Sequence, residues 1–195
     1  MFRSHGALAR PSVLGIVYSD GAAAGRFISD FGYRLRDSGV AVAGVVPASS
    51  GCRDGKPSCD MELEELATRI ILQLSEDRDK RATGCRLDPA AVQEAAALIS
   101  ASIRNGPELL ILNKFGRLES EGEGLCDVIG EAIELGIPVV VGVPQRNIGP
   151  WRVFTDGLAE EAPIGSPRLH RWLSRRGFDT PCEIADAITM ASSAA

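Results

Sequence analysis

The chain has 195 residues, the length of one domain whose core is large enough to fold without disulfide or metal crosslinks. Its 21 basic and 26 acidic residues give a net charge of −5, which argues against a dedicated nucleic-acid surface. No apolar run approaches the roughly 18 residues of a membrane span. Five cysteines, an odd number without a tight repeat, favour reduced thiols, and we expect a cytoplasmic protein.

Strand and helix signals alternate along the chain after residues 1–11, which we predict to be a disordered leader. Residues 12–19 are an apolar strand candidate, residues 27–35 carry apolar side chains at helical spacing, and residues 40–46 indicate a second strand. This β-α-β unit predicts a parallel pair of strands joined by a right-handed crossover. Residues 60–76 fit either a β-hairpin or one face of a helix, and their periodicity does not choose between them.

A long alanine-rich helix is predicted next, with Asp88 as its N-cap, Pro89 in its first turn and its end near Asn105. Residues 109–112 are all apolar, which is typical of a parallel strand that is covered on both faces. Further elements are predicted in chain order: a Glu- and Gly-rich loop at 117–124, a helix at 125–133, a strand at 138–143, a short docking helix around Trp151 and Phe154, an edge strand at 158–162, and helices at 169–175 and 183–190.

This alternation predicts an α/β fold: a doubly wound, mostly parallel sheet of about five strands with helices on both faces. We assign residues 12–163 to this domain and residues 164–195 to a helical extension packed on it. Ligands of such sheets bind beyond the carboxyl ends of the strands. That rule gathers four segments at one rim of the sheet, namely residues 19–25, 52–60, 113–124 and 144–147.

The first of these segments lies where a phosphate-binding loop would lie, between the first strand and the first helix. When the pattern Gly-x4-Gly-Lys-Ser/Thr is laid on residues 20–27, only Gly25 matches. Asp20 replaces the first glycine, Arg26 the lysine and Phe27 the hydroxyl that binds Mg²⁺. The alternative is a small-residue turn at 20–25 that allows close packing of strand and helix. In either case the start of the helix offers N–H groups to an oxyanion.

The strand at 109–112 ends in Asn113 and Lys114, where phosphate-cradling nucleotide enzymes place an acid that holds Mg²⁺. Because Phe27 and Asn113 both lack the Mg²⁺-binding groups of those enzymes, we predict a scaffold that does not hydrolyse nucleotides. Lys114 and Arg117 are candidates to pair with an anion. Glu119 and Glu121 are candidates to accept from a ligand hydroxyl or to bind a cation, unless they form a solvated loop with Glu123.

Several stretches together resemble an uncharacterised bacterial family found beside molybdenum-transport genes and distantly like the small P-loop nucleoside triphosphatases. The stretches are residues 59–61 (CDM), 84–89 (GCRLDP), 110–116 (LILNKFG), 119–122 (ESEG) and 136–138 (GIP). The resemblance covers most of residues 12–163, and its most specific part is the combination of Asn-Lys-Phe-Gly with Glu-x-Glu-Gly. It implies a P-loop-like three-layer fold, a hairpin at 60–76 and a link to molybdenum metabolism, but no catalytic role.

The cysteines do not predict a metal site. Cys52, Cys59 and Cys85 are spaced unlike any standard zinc pattern, and Cys126 lies among apolar helix positions where a buried thiol is expected. The two histidines lie near opposite ends of the chain, so Ser-His-Asp chemistry has few routes.

We therefore predict an accessory or regulatory protein that binds a nucleotide or a molybdate-like oxyanion without hydrolysing it. The candidate ligand-binding residues lie in the rim segments: Ser19, Asp20, Gly21, Ala22, Gly25, Arg26, Asn113, Lys114, Arg117, Glu119, Glu121, Arg146 and Asn147. One rival is an active nucleoside triphosphatase in which Asp20, Glu119 or Glu121 supplies the missing metal ligand. Another is a module that docks a protein partner through the Arg168–Arg176 helix and Trp172. A homo-oligomer is also compatible with the sequence.

Overall fold

A computed structural model describes residues 12–48, 62–74 and 88–178 of the chain. The strands are β1 (Val13–Tyr18), β2 (Val42–Pro47), β3 (Glu62–Glu65), β4 (Ile71–Gln73), β5 (Leu109–Leu112), β6 (Val139–Pro144) and β7 (Glu160–Pro163). The helices are α1 (Gly21–Asp37), α2 (Pro89–Arg104), α3 (Arg117–Ser120), α4 (Cys126–Glu134), α5 (Ile148–Phe154) and α6 (Pro167–Ser174). The predicted leader at 1–11, the helix at 183–190, the rim segment at 52–60 and Cys85 lie outside the described residues.

The strands form a single sheet in the order β4-β3-β2-β5-β6-β1-β7. Five neighbouring strands of this order pair in parallel, namely β2, β5, β6, β1 and β7. β3 and β4 form an antiparallel hairpin on the edge of β2. Helices cover both faces, so the predicted α/β fold with a three-layer, mostly parallel sheet of the P-loop type is confirmed. The hairpin is confirmed as well.

The predicted pairing of the first two strands is wrong. β1 and β2 run parallel, but β6 and β5 lie between them. β5 and β6 are apolar throughout, and all of their residues are buried. Strands of this composition are stable only when both of their faces are covered, so they occupy the middle of the sheet and separate the two strands of the first β-α-β unit.

The sheet divides the core into two layers of apolar side chains. One layer, which includes Ile16, Ile28 and Trp172, lies between the sheet and the helices α1 and α6. The other, which includes Ile99, Ile129 and Trp151, lies between the sheet and the helices α2, α4 and α5. Among the described residues, no helix combines the length and the apolar character needed to cross a membrane.

A buried carboxylate attaches the hairpin to the sheet. Glu65 is fully buried at the end of β3, and it accepts hydrogen bonds from the Gly44 N–H at 3.0 Å and from the Thr68 N–H and hydroxyl, both at 2.8 Å. Gly44 has a φ of +107°, and a Cβ there would lie 2.0 Å from the carbonyl oxygen of Ile111. Glycine is therefore required where β2 approaches β5 most closely.

Candidate ligand site at the carboxyl rim of the sheet

Three of the four predicted rim segments converge at the carboxyl ends of the central strands. Tyr18 at the end of β1 lies opposite Pro144 at the end of β6, and Leu112 at the end of β5 lies opposite Val141. The connections that follow these strands therefore emerge at the same edge of the sheet. This is the edge at which doubly wound sheets bind their ligands.

The connection between β1 and α1 contains only Ser19 and Asp20, since α1 begins at Gly21. The Asp20 carboxylate accepts hydrogen bonds from the N–H groups of Ala22 at 2.9 Å and Ala23 at 3.1 Å, and its carbonyl accepts from Ala24 at 3.0 Å. The bonds from Ala23 and Ala22 lower the pKa of Asp20. The predicted turn at 20–25 is therefore wrong: these residues are an N-cap and the first turn of a helix.

The remaining candidates on α1 differ in what they offer a ligand. Gly25 is buried against Pro47, where a Cβ would meet the proline ring at 3.5 Å, an ordinary packing distance. Arg26 is exposed and makes no hydrogen bond or close ion pair within the described residues, but its charge adds to the bonds from Ala23 and Ala22 in lowering the pKa of Asp20. Phe27, which the phosphate-loop pattern aligns with its Mg²⁺-binding hydroxyl, is partly buried and packs against the core.

The end of β5 places an amide close to Gly142 of β6. The Asn113 side-chain oxygen is buried and has no hydrogen-bond partner in the described part of the chain. It lies over Gly142, where a Cβ would meet Asn113 Oδ1 and Ile28 Cδ1, each at 2.7 Å. The peptide bond that follows, between Asn113 and Lys114, is cis. Lys114 itself is exposed and forms no ion pair with any described residue.

Phe115 and Gly116 hold the segment after β5 in place. The Phe115 N–H donates to the Gly142 carbonyl at 2.8 Å, and the buried Phe115 ring meets the Trp151 ring edge-on, with centroids 5.2 Å apart. The Gly116 N–H donates to the Glu119 carboxylate at 2.8 Å. Asn147 donates from its side-chain amide to the Phe115 carbonyl at 2.9 Å. The segment is therefore fixed from three directions: by β6, by α3 and by the start of α5.

The alternative in which Glu119 belongs to a solvated loop is wrong. Glu119 lies in the short helix α3 and is 8 % exposed. Its second carboxylate oxygen accepts from the Leu125 N–H at 3.0 Å. Gly124, with a φ of +64°, lies so close that a Cβ would stand 2.2 Å from Glu119 Oε1. Sequence alone does not indicate this burial, because the partners of Glu119 are backbone groups of the loop that it closes.

The other two charged candidates after β5 pair with each other at the surface. Arg117 Nε donates to Glu121 Oε1 at 2.9 Å, and this bond is the main reason that the pKa of Arg117 is raised. Both side chains are largely exposed. In this pair the two side chains bind each other and not another rim residue.

Cys126, at the start of α4, is a buried free thiol whose pKa is raised to about 11, mainly by burial and also by Glu119 and Asp127. The predicted burial of this thiol is thus confirmed.

Tyr18 is a rim residue that the sequence prediction missed, although its position as the last residue of β1 could have identified it. It is buried, and burial raises its pKa to about 12, opposed by the nearby charge of Arg146. Its hydroxyl is therefore neutral at physiological pH. Arg146 is exposed and has no hydrogen bond or ion pair to another described residue.

Three rim cations, Arg26, Lys114 and Arg146, thus remain without ion-pair partners in the described part of the chain. Tyr18 and Asn113 add neutral polar groups beside them. Within residues 12–48, 62–74 and 88–178, no group of three or more His, Cys, Asp or Glu side chains is arranged to hold a metal ion. The chemistry that these side chains offer is electrostatic attraction of an anion.

Comparison with known proteins identifies related sequences. A family model described as "Protein of unknown function (DUF2478)" matches residues 13–172. The molybdenum import ATP-binding protein ModC 2 of Bradyrhizobium diazoefficiens is 30% identical over 135 residues, which are 67% of this chain but 14% of that relative. No solved structure matches the chain.

Proposed function

The chain belongs to that family of proteins of unknown function, and we propose that it binds an oxyanion or a nucleotide at the carboxyl rim without hydrolysing it. We further propose that it acts as a cytoplasmic accessory or regulatory protein in molybdenum homeostasis. The described fold, the charges at the rim and the relative named above each support one part of this proposal.

The connection between β1 and α1 carries the argument against hydrolysis. Nucleotide hydrolases of this fold cradle the phosphates in a glycine-rich loop whose N–H groups point at the ligand. Here the connection has two residues, and the N–H groups of Ala22 and Ala23 already donate to Asp20. A phosphate chain would meet a carboxylate where it needs N–H donors.

The metal-binding positions point in the same direction. Mg²⁺ is normally retained by one or two carboxylates or hydroxyls together with the phosphates. Phe27 offers an aromatic ring at one of these positions, and Asn113 offers a neutral amide oxygen at the other. An amide oxygen lacks the charge that lowers the cost of stripping water from Mg²⁺.

The acids that the rival triphosphatase would use are already engaged. Both oxygens of Glu119 accept backbone hydrogen bonds, Glu121 is paired with Arg117, and Asp20 caps α1. A metal ion at Glu119 would have to share both carboxylate oxygens with backbone N–H groups, whereas Asp20 and Glu121 each use one oxygen in the bonds described. The non-hydrolysing function is therefore the better supported of the two.

The link to molybdenum rests on the relative whose name includes molybdenum import. This chain spans 14% of that relative, so most of the relative has no counterpart here. Molybdate is also a compact dianion, which suits a rim with three unpaired cations.

Docking of a protein partner through Trp172 is not part of the proposal. Trp172 is fully buried, and the Arg176 guanidinium lies 3.8 Å above the centroid of its ring. A side chain in this position is unavailable to a partner, so that part of the docking prediction is wrong.

The proposal is tested by measuring turnover and binding on the same purified chain. With ATP or GTP and Mg²⁺ we expect no phosphate release above the rate without protein. Calorimetric titration with molybdate, sulfate and ATP is expected to show binding of at least one of them. The variant Lys114→Ala/Arg146→Ala should bind it at least about tenfold more weakly, because two cations are lost.

Arg104→Ala is the matched control, since Arg104 is exposed and lies near Glu131 at 3.7 Å, at the end of α2 that precedes β5. It removes a cation away from the rim and should leave the affinity unchanged. Brisk divalent-dependent hydrolysis of ATP by the wild-type chain would overturn the proposed function.

A further inference from the structure

Lys114 is the one exposed residue of the segment Asn113–Gly116. Asn113 lies against Gly142 with a buried oxygen, Phe115 is fully buried, and Gly116 is buried where a Cβ would stand 3.1 Å from Glu119 Oε2. We infer that Lys114 is the residue that contacts the ligand and that Asn147 is a positioning residue for it; this inference rests on the anion-binding function proposed above.

The hydrogen bond made by Asn147 is the observation that assigns it this role. Asn147 is the last residue of a single 3₁₀ turn, Gln145–Asn147, which continues directly into α5, and its side chain makes no capping bond to the helix. The side chain instead reaches back to the Phe115 carbonyl, 32 residues earlier in the chain, at 2.9 Å. This bond ties the start of α5 to the segment that carries Lys114.

The bond from Asn147 completes the fixation of the backbone on the C-terminal side of Lys114. The N–H of Phe115 is bonded to Gly142, the carbonyl of Phe115 to Asn147, and the N–H of Gly116 to Glu119. On the other side, the N–H of Asn113 donates to the Val45 carbonyl at 2.9 Å. A lysine has a flexible side chain, so its contact with a ligand gains most when the backbone that carries it is already ordered.

Glu119, like Asn147, holds the segment in place and does not contact the ligand. Both of its oxygens are occupied by N–H groups of Gly116 and Leu125, and its exposure is 8 %. Asn147 and Glu119, which the sequence suggested as ligand-binding residues, thus act on the ligand through the position of Lys114.

Two readouts test this inference, and the first needs no ligand. Hydrogen exchange of the Phe115 and Gly116 amides is followed by NMR in the wild type, in Asn147→Asp and in Asn147→Ala. Both variants remove the donor to the Phe115 carbonyl, and we expect exchange in this segment to accelerate at least about tenfold. Asn105→Ala, at the end of α2, is the control and should leave the segment unchanged. Unchanged exchange in both Asn147 variants would overturn the positioning role.

The second readout separates contact from positioning by the dependence of molybdate and ATP affinity on salt concentration. Lys114→Ala should weaken binding and flatten the salt dependence, because a charge is lost, and Lys114→Arg should restore both in large part. Asn147→Ala should weaken binding about tenfold while the salt dependence keeps its wild-type slope, because the charge is still present. If Asn147→Ala caused only a structural defect, it would lower thermal stability without weakening binding at an unchanged salt slope.

The two proposals fail in different ways. If the wild type binds neither probe, the proposed function and the ligand contact of Lys114 are both lost, while the exchange measurement still decides whether Asn147 orders the segment. If the wild type binds a probe and Lys114→Ala binds it equally well, the function stands and the assignment of Lys114 is wrong.

Discussion

The rim connections after β1 and after β5 use carboxylates in opposite ways. After β1, Asp20 is exposed and takes up the N–H groups of a helix start that could otherwise serve an anion. After β5, Glu119 is buried and takes up N–H groups of its own loop, which leaves Lys114 exposed beside it. One carboxylate closes a potential anion site, and the other orders the segment that presents a cation. The comparison favours the connection after β5 over the connection after β1 as the place of the proposed anion site.

The largest effect is expected where the buried carboxylate is removed. Glu119→Ala leaves the N–H groups of Gly116 and Leu125 without acceptors, and burial makes both costly. We expect a loss of about 3 kcal/mol in the free energy of unfolding, measured by urea denaturation. Glu121→Ala is the matched control, because that carboxylate is half exposed and, among the described residues, pairs with Arg117 alone, so the variant should unfold like the wild type. If Glu119→Ala and Glu121→Ala are equally stable, Glu119 does not order the connection after β5, and its contrast with Asp20 fails.

A smaller loss of stability is expected for a substitution at Gly142, where the end of β5 meets helix α1. Gly142→Ala places a methyl group 2.7 Å from both Asn113 Oδ1 and Ile28 Cδ1, so the end of β5 and helix α1 must separate. We expect a loss of about 2 kcal/mol, again by urea denaturation. Gly130 lies within α4, and a Cβ at this residue would have no neighbouring atom within 4 Å, so Gly130→Ala should leave stability unchanged or raise it slightly. Loss of stability in the control but not in Gly142→Ala would contradict the described packing.

The smallest effect concerns the exposed carboxylate and depends on pH. The folded-state pKa of Asp20 is lowered, mainly by the hydrogen bonds from Ala23 and Ala22, so its charge stabilises the folded protein above the unfolded pKa. This contribution is lost as the pH falls through the lowered folded pKa. The wild type should therefore be slightly more stable than Asp20→Asn at pH 7, and the difference should disappear as the pH falls through the lowered folded pKa.

Thermal unfolding from pH 7 down to acid pH measures this difference. Asp20→Ala, which removes the acceptor as well as the charge, should be less stable than Asp20→Asn at every pH. If the wild type and Asp20→Asn lose stability in parallel over the acid range, Asp20 does not cap α1 as described.

Local sequence signals predicted most elements of the fold. The apolar runs at 109–112 and 138–143 predicted buried strands, and Asp88 with Pro89 predicted the start of α2, where Asp88 indeed accepts from the Ala90 N–H at 2.9 Å. These predictions succeed because alternation, apolar runs and caps act over a few residues. Local signals do not decide the structure of residues 60–76, because their periodicity fits both a helix and a hairpin. Pairing with β2 selects the hairpin.

The sequence by itself determined an α/β chain with apolar central strands, with Asp20, Arg26 and Phe27 after the first strand and the amide Asn113 after β5. Only the tertiary structure decided that β5 and β6 separate β1 from β2, that Glu119 and Trp172 are buried, and that Asn147 holds the segment that carries Lys114. The physical reason is that burial and long-range hydrogen bonding depend on partners that are distant in the chain, so a charged or aromatic residue has the same local pattern whether it becomes buried or exposed.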